Sequence, residues 1–458
     1  MEEGMHRFTE DTEGVARAIV DYALDRIRLD PPPIDGPLSE AELAAKVGDT
    51  VTPRGIGAEE ALRLFGDVLA PACISVDNPR FLAFVPAAPT KAAILFDLVV
   101  SASSIFAGTW LEAAGSTYAE NQALAWLAAL AGMPSGTGGV FVSGGTAGNL
   151  SGLVAARHVA GERRGGRPDR WRLLASDEAH SSIGTAARVM DVDVVPVPTD
   201  DRGRVTGGSL RSAMDALSVN ERRSLFAVVA NAGATNSGAV DDLAAIAEEA
   251  EATDLWMHVD AAYGGAALAA PTARPLFDGI ERADSLVIDP HKWLFAPYDC
   301  AALLYARPGA AVSAHIQEAS YLDEVNVLDL WNPMHYAVHL SRRARGLPFW
   351  FSLAANGTEA YVDAVEAVLT VTAESAEEIR RRPGLELVMD PQLSVVLFRC
   401  DGWSGRDYSD WCERLLADGV AFVMPTSWRG ERVMRFCFVN PRTTIQDVRV
   451  ILDTMADS

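Results

Sequence analysis

Between about residue 91 and residue 310, short apolar runs alternate with stretches of helical spacing, and this alternation constrains the fold more than any other feature. The runs are Val140–Val142, Arg172–Ala175, Val192–Val197, Leu225–Ala230, Leu255–Val259, Ser285–Ile288 and Ala301–Tyr305, mostly separated by helical stretches such as 207–217 and 241–252. Runs this short read as strands, and repeated strand–helix alternation implies a largely parallel sheet covered on both faces. The expectation is an α/β large domain over 91–347. From residue 348 the pattern changes to a helix near 358–380, the run Leu393–Phe398, a helix near 406–418, the runs Val420–Met424 and Val433–Val439, and a last helix at 444–455. That reads as a small C-terminal α+β domain over 348–458. Ahead of the sheet, Val15, Ile19, Ala23 and Ile27 space a helix over 13–29 that Pro31-Pro32-Pro33 ends. Ser39 and Glu42 form a capping box for a second helix, and 58–70 reads as a third. These helices show no core of their own, so 1–90 is expected to be an N-terminal helical segment that docks elsewhere, with dimer contacts a natural use.

The strand ends carry the chemistry. Leu255–Val259 leads into Asp260 and the sequence Ala261-Ala262-Tyr263-Gly264-Gly265, while Ser285–Ile288 leads into Asp289-Pro290-His291-Lys292-Trp293. Lys292 is one of only three lysines, beside Lys46 and Lys91, in a chain that uses arginine freely, so the position asks for an amine. Open α/β sheets bind ligands at strand ends. A lysine in a partly dry pocket is expected to have its pKa lowered enough to act as a nucleophile, which suggests a Schiff base. Asp260 is the matching partner for a pyridine nitrogen, because a carboxylate there keeps the ring protonated and makes it an electron sink.

Two further strand ends point the same way. Gly138-Gly139-Val140-Phe141-Val142 runs into Ser143-Gly144-Gly145-Thr146-Ala147-Gly148, so free backbone N–H groups and a helix dipole converge where a phosphate could sit. On its own the turn is more simply a tight strand-to-helix connection, and it lacks the lysine of a nucleotide-triphosphate loop. His180, in Ser176-Asp177-Glu178-Ala179-His180-Ser181-Ser182, could be an ordinary helix-start residue, but beside Lys292 and Asp260 it is a candidate to lie on a cofactor ring and handle protons.

Charge and cysteine usage exclude other classes. A formal net charge of −23 argues against nucleic acid or an anionic membrane as partner. Cysteines 73, 300, 400, 412 and 437 are scattered without paired metal spacing, so no metal is expected and free thiols in a reducing compartment are. With no basic, apolar leader at Met1-Glu2-Glu3 and no apolar stretch of about 18 residues, the expected location is cytoplasmic.

Together, Gly144-Gly145-Thr146-Ala147, His180 in its setting, His258-Val259-Asp260-Ala261-Ala262-Tyr263 and Pro290-His291-Lys292-Trp293 resemble the group II pyridoxal-phosphate amino acid decarboxylases, especially the aromatic-L-amino-acid branch. The likeness runs from Asn78-Pro79 through Ser341-Arg342-Arg343 to Arg435-Phe436. It implies the fold type I, PLP-dependent transferase-like architecture and a homodimer with active sites at the interface. Lys292 would hold pyridoxal 5'-phosphate, Asp260 would bind its pyridine nitrogen, His180 would stack on its ring, and Thr146, Ala147 and His291 would surround its phosphate. Thr235 and Ala262 would line the cofactor. Tyr321 matches the tyrosine that protonates the carbon left when carbon dioxide departs, in a polar stretch, 312–332, expected to be a loop that closes over substrate.

The chain also departs from the aromatic branch. Its substrate segment reads Phe81-Leu82-Ala83-Phe84-Val85-Pro86-Ala87, and Gly108 stands where a bulky aromatic from the neighbouring subunit often projects, although Phe106 remains, making Phe84, Val85, Pro86 and Phe106 the candidate pocket; Asp289 replaces a common asparagine. The implied reaction is decarboxylation of an L-amino acid, with an aromatic one expected. A decarboxylating oxidase that makes an aldehyde, a non-aromatic decarboxylase, an aminotransferase and a fold-only protein are the alternatives. The presence of Tyr321 and His180 favours simple decarboxylation.

Overall fold

The computed structural model describes residues 6–317, 320–322 and 330–457. Three helices come first: α1 (Glu10–Arg28), α2 (Glu40–Val47) and α3 (Ala58–Leu64), followed by α4 (Lys91–Ala102) and α5 (Trp110–Leu130). The Ser39–Glu42 capping box forms as expected, with Ser39 N–H donating to Glu42 Oε2 at 2.8 Å. Neither α1 nor α2 buries a residue.

The large sheet is then laid down as β1 (Gly138–Val142), α6 (Gly145–Arg164), β2 (Arg172–Ser176), α7 (Ser181–Met190), β3 (Asp193–Val197), α8 (Gly207–Asp215), α9 (Val219–Arg223), β4 (Leu225–Asn231), α10 (Leu243–Ala252), β5 (Trp256–Asp260), β6 (Ser285–Ile288), β7 (Ala301–Tyr305) and α11 (Pro308–His315). Its seven strands lie in the order β1-β7-β6-β5-β4-β2-β3, parallel except for β7, which runs antiparallel to both neighbours. Each of the seven expected runs supplies one of these strands, and both faces are covered. Leu286 and Ile288 belong to one core, whereas Val287 between them belongs to the other with Leu153 and Phe226.

A second, antiparallel sheet of four strands is formed by β8 (Leu385–Leu387), β9 (Val395–Cys400), β10 (Met424–Trp428) and β11 (Glu431–Cys437), in the order β10-β11-β9-β8. Val396, Phe398 and Phe436 share a core with Met257 and Leu286, so the two sheets pack as one apolar body. The expected strand Val420–Met424 is displaced: ladder pairing begins at Met424. Phe422 instead makes an isolated bridge to Phe81, with Leu82 N–H donating to Phe422 O at 2.8 Å and Cys437 N–H to Leu82 O at 2.9 Å. Residues 81 and 82 thus hydrogen-bond directly with the C-terminal sheet region.

Candidate active site

Four strand ends open on one cavity of about 280 Å³. β1 passes through Ser143 and Gly144 into α6, β2 reaches His180 at the cap of α7, β5 ends on Asp260, and β6 runs into Asp289 and Lys292. Thr146, His180, Thr235, Asp260, Ala262, His291 and Lys292 all line it. Ala147 does not; it packs against the apolar core beside α6. Ser143, Asn149, Asn231 and Tyr298 also line the cavity and were not singled out by sequence, and Asp289, noted there only as a replacement, joins them.

The electrostatics of Lys292 overturn one expectation. Burial lowers the amine's pKa, but the Asp289 carboxylate, 3.2 Å from Nζ, and the Asp260 charge outweigh it, and the net shift is upward. The pocket holds this amine as an ammonium; drying alone does not activate it. Asp289 Oδ2 also accepts the N–H of Gly145, the first residue of α6, at 3.2 Å, while the buried Oδ1 has no hydrogen-bond partner among the described residues. The N-terminus of α6 therefore already faces one negative group.

Asp260 is fixed through both oxygens: Oδ1 accepts Ala262 N–H at 3.1 Å and Oδ2 accepts from Asn149 Nδ2 at 2.8 Å. His180 caps α7 through Nδ1, which accepts Ser182 N–H at 3.2 Å. His291 is buried, its pKa lowered by desolvation against the opposing pull of Asp289, and its Nδ1 lies 2.7 Å from Cys300 O.

A second cleft, of about 380 Å³, adjoins the first through His180 and Thr235, and is lined by Phe84, Asp177, Glu178, Met424 and Arg435 among others. Arg435 secures its walls by donating to Phe84 O at 2.5 Å and Thr235 O at 2.7 Å. Phe84 is 59% exposed and sits at φ 52°, a backbone region that non-glycine residues rarely adopt and that clusters at functional sites. Of the other pocket candidates, Val85 packs on the core, Pro86 is buried, and Phe106 lines neither cleft. Gly108 has a local reason, since an added Cβ would lie 2.6 Å from the Phe106 ring and 2.9 Å from Leu340 O.

The expected loop at 312–332 needs correcting at its start. Residues 312–315 form the end of α11, and His315 is buried, its Nε2 donating to Ser151 O at 3.0 Å; a polar residue with a satisfied hydrogen bond is no bar to burial. Residue 321 lies in a short 3₁₀ turn, Ser320–Leu322, but the Tyr321 side chain lies outside the described residues, as do 318–319 and 323–329.

Pyridoxal phosphate fits what these residues offer: an amine, a doubly anchored carboxylate and a histidine around one space, with a glycine-lined helix start at its end. At Gly145 even a Cβ would lie 3.0 Å from Asp289 Oδ2 and 3.1 Å from Ala262 Cβ. This arrangement on a mostly parallel sheet is that of a fold type I pyridoxal-phosphate enzyme. Residues 55–401 match the pyridoxal-dependent decarboxylase conserved domain. The chain belongs to that family, and is a pyridoxal-phosphate-dependent amino acid carboxy-lyase. It is 28% identical to the aromatic-L-amino-acid decarboxylase of Bacillus atrophaeus, over 99% of this chain and 96% of that protein. It is 31% identical to the L-2,4-diaminobutyrate decarboxylase of Rhizobium meliloti, over 90% and 84%. Among solved structures it superposes on Oryza sativa TDC, determined with PLP and tryptamine, with a TM-score of 0.90 at 25% identity, covering 99% of this chain and 98% of that one.

Proposed function

We propose that this enzyme decarboxylates an aromatic L-amino acid to its amine, with Lys292, Asp260, His180 and Tyr321 as the catalytic residues. The observation that carries the reading is the joining of the two clefts at His180 and Thr235, which puts the Phe84 wall beside the chemistry. Lys292 would hold the cofactor, Asp260 its ring nitrogen, His180 its ring face, and Thr146, the N–H groups at the start of α6 and His291 its phosphate. The bound cofactor supplies an electron sink for the bond to the carboxylate. The protein's task would be orientation: its residues would hold the substrate carboxylate in one fixed direction and keep water away from it. Tyr321 would then deliver a proton to the α-carbon.

A basic side chain is the second reading, because Asp177 and Glu178 line the same cleft; burial, reinforced by Asp177, raises the pKa of Glu178. A panel of tryptophan, tyrosine, phenylalanine, histidine and 2,4-diaminobutyrate, with amine, aldehyde and carbon dioxide measured separately, distinguishes the readings. Turnover of diaminobutyrate alone would overturn the aromatic one, and aldehyde as the main product would replace both with an oxidase.

The working unit in this reading is a cytoplasmic homodimer. Leu95, Leu98 and Val99 on α4, Leu111 and Tyr118 on α5 and Ile19 and Val20 on α1 are apolar groups left at the surface, as a second copy would cover them. Light scattering that finds a fully active monomer would refute this.

A further inference from the structure

Behind Asp260 lies a buried polar chain whose members come from four elements. Trp256 Nε1 is 2.7 Å from Ser285 Oγ, Ser285 Oγ is 2.7 Å from His258 Nδ1, His258 Nε2 is 2.9 Å from Asn149 Oδ1, and Asn149 Nδ2 is 2.8 Å from Asp260 Oδ2. The same Asn149 nitrogen reaches Ser182 Oγ at 2.9 Å, and Ser182 Oγ reaches His180 Nδ1 at 2.9 Å. His258 and Ser285 are wholly buried, so each polar atom must find its partner within this set.

The donor inventory gives the chain one direction. An indole N–H can only donate, so Ser285 Oγ accepts from Trp256; at the far end Asn149 must turn its Nδ2 to the Asp260 carboxylate, so its Oδ1 faces His258 Nε2 and needs a proton there, which leaves Nδ1 bare to accept the Ser285 hydroxyl hydrogen. A neutral His258 then carries its proton on Nε2 and donates to Asn149 Oδ1. Both hydrogens of the Asn149 amide are thereby turned toward Asp260 and Ser182. Ser182 accepts one and passes its hydroxyl hydrogen to His180 Nδ1, which already accepts the Ser182 backbone N–H. Moving the His258 proton to Nδ1 would set the bare Nε2 against Asn149 Oδ1, turning the Asn149 amide would set its oxygen against the Asp260 carboxylate, and a proton on His180 Nδ1 would meet the Ser182 N–H. Burial agrees with the neutral form, lowering the His258 pKa to about 4 against the pull of Asp260.

We infer that Trp256, Ser285, His258 and Asn149 are positioning residues that hold Asp260 as a hydrogen-bond acceptor and fix the neutral His180 ring with its proton on Nε2. One polarised chain thus sets two groups of the active site at once. The functional part rests on the reading that Asp260 and His180 meet the cofactor; the tautomers do not.

The test has two arms. Long-range proton–nitrogen NMR of the histidine-labelled holoenzyme, assigned with single variants, should show Nδ1 unprotonated and Nε2 protonated in both His258 and His180. A proton on Nδ1 of either ring overturns the inference, whether or not an amino acid substrate is known. In the second arm, His258→Leu should lower kcat by about tenfold or more with KM little changed, because the acceptor is misplaced and not lost. His258→Gln, which keeps an amide N–H to face Asn149, should recover most of the loss. Equal kcat in the Leu variant and the parent would overturn the positioning role. If the Leu variant fails to fold, the tautomers of the unmodified protein still decide.

Discussion

Lys292 Nζ and Asp289 Oδ2 lie 3.2 Å apart in a pocket where both side chains are largely buried. The same Asp289 oxygen takes the first N–H of α6, so one carboxylate both restrains the amine and fills part of the cup proposed for the cofactor phosphate. Asp289→Asn removes the nearest charge that raises the Lys292 pKa. A raised pKa keeps the amine protonated and unreactive until the pH climbs, so the rate of pyridoxal phosphate capture by the cofactor-free variant should rise with pH at lower pH than in the parent. Affinity for inorganic phosphate should increase about tenfold, from the loss of one like charge near the surface of contact. Stopped-flow absorbance and calorimetry measure the two effects. Lys292→Ala is the control and should acquire no cofactor absorbance of the covalent form.

Tyr321 gives a product-level prediction. With Tyr321→Phe, carbon dioxide release should continue, since it depends on the electron sink, but the carbon awaiting a proton persists long enough to meet oxygen. Amine should fall and aldehyde with ammonia should appear. The parent rate of amine with no aldehyde would move the proton donor to His180 or a bound water.

Legibility in the sequence followed the range of the interaction. Lys292, Asp260 and His180 could be found because each stands at the end of a local apolar run, and strand ends are where ligands sit in such sheets. Asn149 and Ser285 could not, because their meaning lies in partners 109 and 27 residues from them across the fold, and neither periodicity nor motif encodes that contact. The pKa of Lys292 was misjudged for the same reason: burial is a local inference, whereas the charge of Asp289 acts through the turn that brings its oxygen to Nζ. The antiparallel insertion of β7 between β1 and β6 was equally hidden, since Ala301–Tyr305 reads as any buried strand.

A buried ion pair joins α5 to the turn before the helix at Leu347–Asn356. Arg342 donates to Glu120 through two bonds of 2.8 Å, with side-chain exposures of 1% and 3%, and Glu120 also accepts Gly346 N–H at 2.8 Å. Arg342→Met leaves a buried carboxylate without its partner and should cost about 3–5 kcal/mol in urea unfolding. Glu120→Leu with Arg342→Met removes both charges and should cost less than Arg342→Met alone. A larger loss in the double variant would show that the Gly346 contact of Glu120, not the pairing of charges, sets the penalty.

Acid stability follows from buried histidines. Burial lowers the pKa of His258, His315 and His339 to about 4, against 6.5 for an exposed ring. Between those values the unfolded chain takes up protons that the folded chain refuses, so stability should fall as the pH drops from about 6.5 to about 4. Asp241 opposes the trend, because burial raises its pKa from 3.8 to about 7 and the folded chain binds that proton more readily over much of the same window. His291 and His335, also lowered by burial, join the first set, and Glu178 and Asp284, raised by burial, join Asp241, so five histidines stand against three carboxylates and leave a net loss in acid. His315→Gln keeps a donor for Ser151 O and removes one titration, so the slope of unfolding free energy against pH near 5 should become shallower by about one proton. An unchanged slope in urea titrations across this range would mean that His315 takes up its proton in the folded state and is not among the groups that drive acid unfolding.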